Sequence, residues 1–286
     1  MVSAMYLKKG AKGAILAGML VLTSCSSTTF LYNRLDFLLP WYLGKYVSLQ
    51  REQKQELDRL LRPYLAWHRS EELPQYLLVV QEVETSLDGD LSAQQIGNIA
   101  AQFEEAWFRL EAKTVDWMLV LGAMLSDKQI SRFLDKLQEK QEEYEKEYLS
   151  RSDDEYFEEA YKDLRDSTQD YIGRLSKNQI SLLQAAAGRL DRSDDIWLQE
   201  RAIWIERLGA ILTNRAEGWQ QQVLDALTER DETVSEQYTQ AIERNSQEIF
   251  SVLAQVLNER SEKQDQRLRR KLKNLRDDIQ TLIDQT

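Results

Sequence analysis

Leu91-Ser92-Ala93-Gln94-Gln95-Ile96, Leu125-Ser126-Asp127-Lys128-Gln129-Ile130 and Leu175-Ser176-Lys177-Asn178-Gln179-Ile180 are three copies of one pattern, L-S-x-x-Q-I. The pattern has a mechanical reading. Serine at the N-cap accepts a hydrogen bond from an orphan backbone N–H, glutamine at N3 reaches back to the cap's own N–H, and leucine packs on isoleucine across the first turn. Helices therefore start near residues 92, 126 and 176. The copies lie 34 and then 50 residues apart, so they mark helix starts and not a solenoid period. Weaker starts are expected at Ser48, at Ser152 with Glu155, at Ser193 with Asp194 and Asp195, and at Thr233 with Glu236.

Apolar residues then recur at steps of three and four. One stripe is Ile96, Ile99, Phe103, Trp107, Leu110, Trp117 and Leu121, with a slip near Lys113–Thr114. Another is Ile130, Phe133, Leu134, Leu137, Tyr144 and Tyr148, and a third is Trp197, Trp204, Leu208, Ile211 and Leu212. Each buries one face and leaves a charged face outside. Glu142 with Lys146, Glu147 with Arg151 and Glu158 with Lys162 are spaced for pairs on those outer faces. All three prolines, Pro40, Pro63 and Pro74, fall in the first quarter, and alternating strand patterns are absent. The expectation is an all-α protein, an elongated bundle of long amphipathic helical hairpins. Pro63 should bend its helix near Leu60, a further helix should cover about Glu71–Leu87, and Asp88-Gly89-Asp90 should turn.

The N-terminus reads differently. Lys8, Lys9 and Lys12 precede an apolar run from Ala14 to Leu22, too short to span a bilayer. Leu22-Thr23-Ser24-Cys25 resembles the lipobox cut by lipoprotein signal peptidase. That resemblance makes residues 1–24 a signal peptide and Cys25 the lipidated first residue, with residues 25–29 a short tether. Ser26, where aspartate would signal inner-membrane retention, implies the outer membrane. The single cysteine rules out an internal disulfide. With the leader's three lysines removed, the net charge falls from −11 to −14, which argues against nucleic acid.

Residues 30–90 form an aromatic-rich, membrane-proximal helical part, and residues 91–286 the long-helix bundle. Phe30, Tyr32, Phe37, Trp41, Tyr42 and Tyr46 are either core or an interfacial belt, core being the commoner fate. At the other end, Glu259–Arg276 holds eight basic residues against three acids. Leu268, Leu272, Leu275, Ile279 and Leu282 give that helix a narrow seam. Its partner is the protein's own acidic Glu139–Glu159 stretch, a second copy, or an anionic surface; the first is expected. Trp41, Tyr42, Arg267, Arg269, Arg270, Lys271 and Lys273 are the candidate interaction surface.

Catalytic constellations are thin. His68 is the only histidine and Cys25 the only cysteine, so triads, zinc sites and di-iron sites lack parts. His68 reads as structural, with Glu71 or Glu72 as partner. No phosphate-binding glycine motif occurs. No cofactor, metal or small-molecule substrate is expected.

Leu35–Lys54, L-D-F-L-L-P-W-Y-L-G-K-Y-V-S-L-Q-R-E-Q-K, and Leu65–Leu77, L-A-W-H-R-S-E-E-L-P-Q-Y-L, resemble an uncharacterised family of Gram-negative helical lipoproteins, a domain of unknown function. The resemblance implies a lipid anchor and a helical fold, and no activity. A weaker likeness, of L-S-x-x-Q to the L-T-x-x-Q repeats of small periplasmic stress chaperones, is attributed to shared capping. The functional expectation is a non-enzymatic interaction or structural component of the cell envelope on the periplasmic face. A lipid-tethered chaperone is second, and a peptidoglycan-acting hydrolase third.

Overall fold

The computed structural model describes residues 27–232 and 234–285. Residues 1–26, which hold the expected signal peptide and Cys25, lie outside the described residues, as do Thr233 and Thr286. In chain order the helices are α1 (Ser27–Tyr32), α2 (Leu35–Leu43), α3 (Arg51–Trp67), a π turn (His68–Glu72), α4 (Leu73–Ser86), α5 (Ala93–Ala123) and α6 (Asp127–Tyr148). There follow α7 (Asp153–Ile172), α8 (Lys177–Ala187), α9 (Asp194–Asn214), α10 (Trp219–Glu232), α11 (Glu236–Asn258) and α12 (Glu262–Ile283). The fold is an all-α bundle, with no strand among the described residues.

The three L-S-x-x-Q-I copies cap α5, α6 and α8 as the pattern requires: Ser92, Ser126 and Ser176 each accept from the backbone N–H of the glutamine three residues on. Ser152 with Glu155 does the same for α7. The Ser48 start is displaced, because Gln50 caps α3 and Gln53 closes its box. Ser193 precedes α9 without a capping side-chain bond, and Ser235 caps α11. Ser261 with Gln264 caps α12, a start the sequence reading passed over because no leucine precedes it.

The capping glutamines do more than cap. Gln179 and Gln264 are buried and bonded to each other, Gln264 Nε2 lying 2.9 Å from Gln179 Oε1. Gln179 also donates to the Val256 carbonyl at 3.1 Å, and Gln264 to that of Arg174 at 3.0 Å. Gln53 and Gln129 repeat the arrangement: they bond to each other at 2.7 Å, with Gln53 donating to Met124 O and Gln129 to Ser48 O. Each glutamine thus closes its own helix and ties down the loop, or for Gln179 the last turn of α11, that precedes its partner's helix. Two pairs of helix N-termini are clasped in this way.

α3 runs through Pro63 without ending, and a π turn follows it. The Leu73 N–H bonds back to the His68 carbonyl, five residues earlier. Pro74 has no N–H to offer the preceding turn, and the wider turn absorbs that loss.

Consecutive helices α7 and α8, and α9 and α10, pack together, but the most extensive contacts join distant segments: α12 on α4, α6 on α9, and α5 on α11. One core gathers Ile172, Leu183, Val252, Val256, Leu268 and Leu272 from α7, α8, α11 and α12. α12 buries Leu268, Leu272, Ile279 and Leu282, as its seam predicts. It docks within the chain, but on α4, α1 and the C-terminal end of α7 and not on Glu139–Glu159. Arg276 pairs with Glu84 at 2.7 Å and Arg269 with Asp88 at 2.9 Å, so acids at the end of α4 and in the turn after it neutralise the basic helix.

The anticipated pairing of Glu147 with Arg151 is also replaced. Arg151 turns to Asp194 at 2.7 Å, where the carboxylate is only 2 % exposed. Arg151 also pairs with Glu159, so it serves a buried and an exposed carboxylate together.

Candidate functional site

Two adjoining features stand out: an aromatic foot formed by α1 and α2, and an apolar cavity bounded by α2, α3, α5, α6, α9 and α10.

The foot contradicts the core reading for four of its six aromatics, while Tyr32 packs against the core and Tyr46 is half-buried. Phe30 is 59 % exposed, Phe37 64 %, Trp41 56 % and Tyr42 54 %. Cations lie on the rings, with Lys45 Nζ 4.1 Å from the Trp41 centroid and the Arg34 guanidinium 5.4 Å from that of Phe30. Apolar rings interleaved with Lys and Arg match the headgroup region of a membrane, where rings sit at the boundary and cations meet lipid phosphates. The helices are too short to bury both faces, which leaves these rings outside.

The foot is held firmly. The Tyr32 hydroxyl lies 2.9 Å from His68 Nδ1, and Asn33 Nδ2 donates to Gln285 Oε1 at 3.0 Å. The partner of His68 is thus a tyrosine and not the expected carboxylate. Glu72, the anticipated partner, is taken by Arg109 through two bonds of 2.7 and 2.9 Å. Burial pushes the His68 ring down to about 4, with the Glu72 carboxylate opposing the shift.

The cavity encloses about 550 Å³, within the range of about 300–1,000 Å³ usual for ligand pockets. Trp107, Leu110, Val115, Trp117, Met118 and Leu121 of α5 form one wall; Trp204, Leu208, Trp219 and Val223 of α9 and α10 form the other. Met118 is 42 % exposed, which places an opening there. The indole N–H groups of Trp107, Trp117 and Trp204 are buried with no hydrogen-bond partner. A buried donor left unpaired costs about 1–3 kcal/mol, but these three nitrogens are shut off from the cavity by their neighbours, so the rings present carbon to it. Two arginines also line it. Arg230 is matched by Glu111 at 3.0 Å. Arg201 hydrogen-bonds Gln141 and lies over the Tyr144 ring at 5.2 Å; among the described residues no carboxylate lies within ion-pair distance of it. Burial draws the Arg201 guanidinium below its ordinary value, yet arginine stays cationic in proteins.

The remaining candidates from the sequence are dispersed. Arg269 and Lys273 are engaged with neighbouring acids. Arg267 lies across Gly173, whose φ of +83° ends α7 in a conformation suited to glycine. Lys271 lies over the Tyr171 ring, and Arg270 is exposed. Trp41 and Tyr42 belong to the foot; Cys25 lies outside the described residues. The cavity itself was missed. Its signal was the segment Val115–Leu125, V-D-W-M-L-V-L-G-A-M-L, which is apolar around most of the helix and not along one stripe.

No helix among the described residues is long and apolar enough to cross a membrane, and no group of three metal-ligating side chains occurs among them. A family model described as a family of unknown function, DUF6279, matches residues 45–239. No curated protein and no solved structure matches the chain.

Proposed function

The chain belongs to that family of unknown function, and from this premise we propose that it is a lipid-anchored, periplasm-facing, non-enzymatic envelope protein that binds an apolar ligand. The anchor is Cys25, the outer membrane is the site, and the foot lays the body against the bilayer. The observation that carries the binding role is the apolar cavity, walled by Trp107, Trp117, Trp204 and Trp219 and open at Met118. A packed core of this size would be filled, since protein interiors reach the density of organic crystals. For comparison, an apolar cavity of roughly 150 Å³ accommodates benzene, so this one has room for several rings or one long hydrocarbon chain.

Supporting the envelope location are the lipobox-like Leu22–Cys25 and the exposed rings that follow it within a few residues. A tethered chaperone would share the apolar surface. The limited volume of the cavity favours a small ligand over an unfolded client.

The test is a titration of the full chain, held in amphipol without bilayer, with the neutral fluorescent probe N-phenyl-1-naphthylamine. Saturable binding of one probe per chain is expected, with loss of binding in Val115→Trp, which places a large ring in the cavity. Absence of saturable binding to the wild-type chain contradicts the proposal.

A further inference from the structure

Resting on the apolar-binding reading, we infer that the cavity takes a single long acyl chain with an anionic head, the head held by Arg201 and the chain lying among Trp107, Trp117 and Trp204. Three observations narrow the occupant.

First, the lining is mostly apolar. Its carboxylate, Glu111, is taken by Arg230, and the Tyr64 hydroxyl accepts from Thr114 Oγ1 at 3.1 Å. A peptide segment would bring a row of backbone N–H and C=O groups for which the apolar walls hold no partners. A hydrocarbon chain brings none.

Second, the charges do not balance. Two arginines line the cavity, and one of them has its carboxylate. The half-buried surplus at Arg201 is met by one amide oxygen, from Gln141. A partly desolvated cation beside an apolar volume binds an anion more strongly than an exposed one does.

Third, Arg201 lies on the side of the cavity nearest the foot. The field of Arg201 is felt at Tyr46, and that of Tyr46 at Arg201. The Tyr46 ring is 6.5 Å from that of Phe133, a lining residue, and 5.6 Å from that of Tyr42 in the foot. Aromatic contacts therefore lead from the exposed foot to the cationic end of the cavity. A lipid head drawn from the bilayer arrives where Arg201 waits for it.

A fatty acid and a lysophospholipid share this chemistry, and one experiment separates them. The full chain in amphipol is titrated with cis-parinaric acid, a fluorescent fatty acid, reading energy transfer from tryptophan. One site per chain is expected. Arg201→Gln should weaken it at least tenfold and by more than it weakens N-phenyl-1-naphthylamine, and Val115→Trp should abolish both. If Val115→Trp melts early, Leu227→Trp replaces it. Displacement by palmitate alone identifies a fatty acid, and displacement by lysophosphatidylglycerol a lysophospholipid. Unchanged parinaric acid affinity in Arg201→Gln, or displacement by neither competitor, overturns the inference. Binding of the neutral probe without parinaric acid overturns the ligand class and leaves the apolar-binding reading standing. Binding of neither overturns both.

Discussion

His68 shows how one side chain can carry a pH response without chemistry. Its ring is held neutral by burial, at about 4 against an ordinary 6.5. Between those values the unfolded chain binds a proton that the folded chain refuses, so folding stability rises with pH through that window and is flat above it. Stability should therefore fall as pH drops from 6.5 towards 4. His68→Gln should flatten that part of a denaturant-midpoint profile; an unchanged slope would place the response elsewhere. At Glu72 the buried carboxylate depends on Arg109. Arg109→Met should lower stability by about 2–3 kcal/mol, less than a fully buried pair because the arginine is partly exposed, as read from the urea midpoint. At Cys25, Cys25→Ala should leave unprocessed precursor and abolish acyl labelling. A processed, labelled mutant would refute the lipobox reading.

Among the helices, identical motifs carry unequal weight. Ser92→Ala, Ser126→Ala and Ser176→Ala each remove one cap and should each cost about 1 kcal/mol. The glutamines differ. Gln95 closes only its own box, at the surface, whereas Gln179 is fully buried and also joins α8 to α11 and α12. Gln179→Ala should thus cost about 2–3 kcal/mol, since it strands buried partners, and Gln95→Ala clearly less; equal losses in thermal melts would dismiss the clasp. Local rules made most of this level legible. Caps and stripes located α5, α6, α7, α8 and the seam of α12 because those signals act within one turn. Which helix α12 meets was not legible. Opposite charge pointed to Glu139–Glu159, yet charge is satisfied wherever an acid lies near, and the apolar fit to Leu73 and Val80 decided the place. Deleting residues 259–286 should accordingly raise hydrogen exchange over residues 73–86 and not over 139–159. The reverse pattern would contradict the docking seen here.

For the whole molecule, the foot and the cavity were illegible for a common reason. A stripe of apolar residues says that a face avoids water, and not whether protein, lipid or ligand covers it. Trp41 and Trp107 look alike in the sequence, yet one is 56 % exposed and the other lines the cavity. The foot should matter for lying on the membrane and not for folding. Phe37→Ser with Trp41→Ser should leave the melting temperature within a few degrees while reducing quenching of the remaining tryptophans by brominated lipid in reconstituted vesicles. Unchanged quenching would remove the foot from the membrane.

The most direct test of the account is to ask what the protein carries out of the cell. Native mass spectrometry of the full chain should show one non-covalent lipid per chain, lost on denaturation and so distinct from acyl groups on Cys25. That mass should be absent from Val115→Trp and sharply reduced in Arg201→Gln. A chain that emerges without bound lipid and acquires none when offered fatty acid or lysophospholipid would contradict the account.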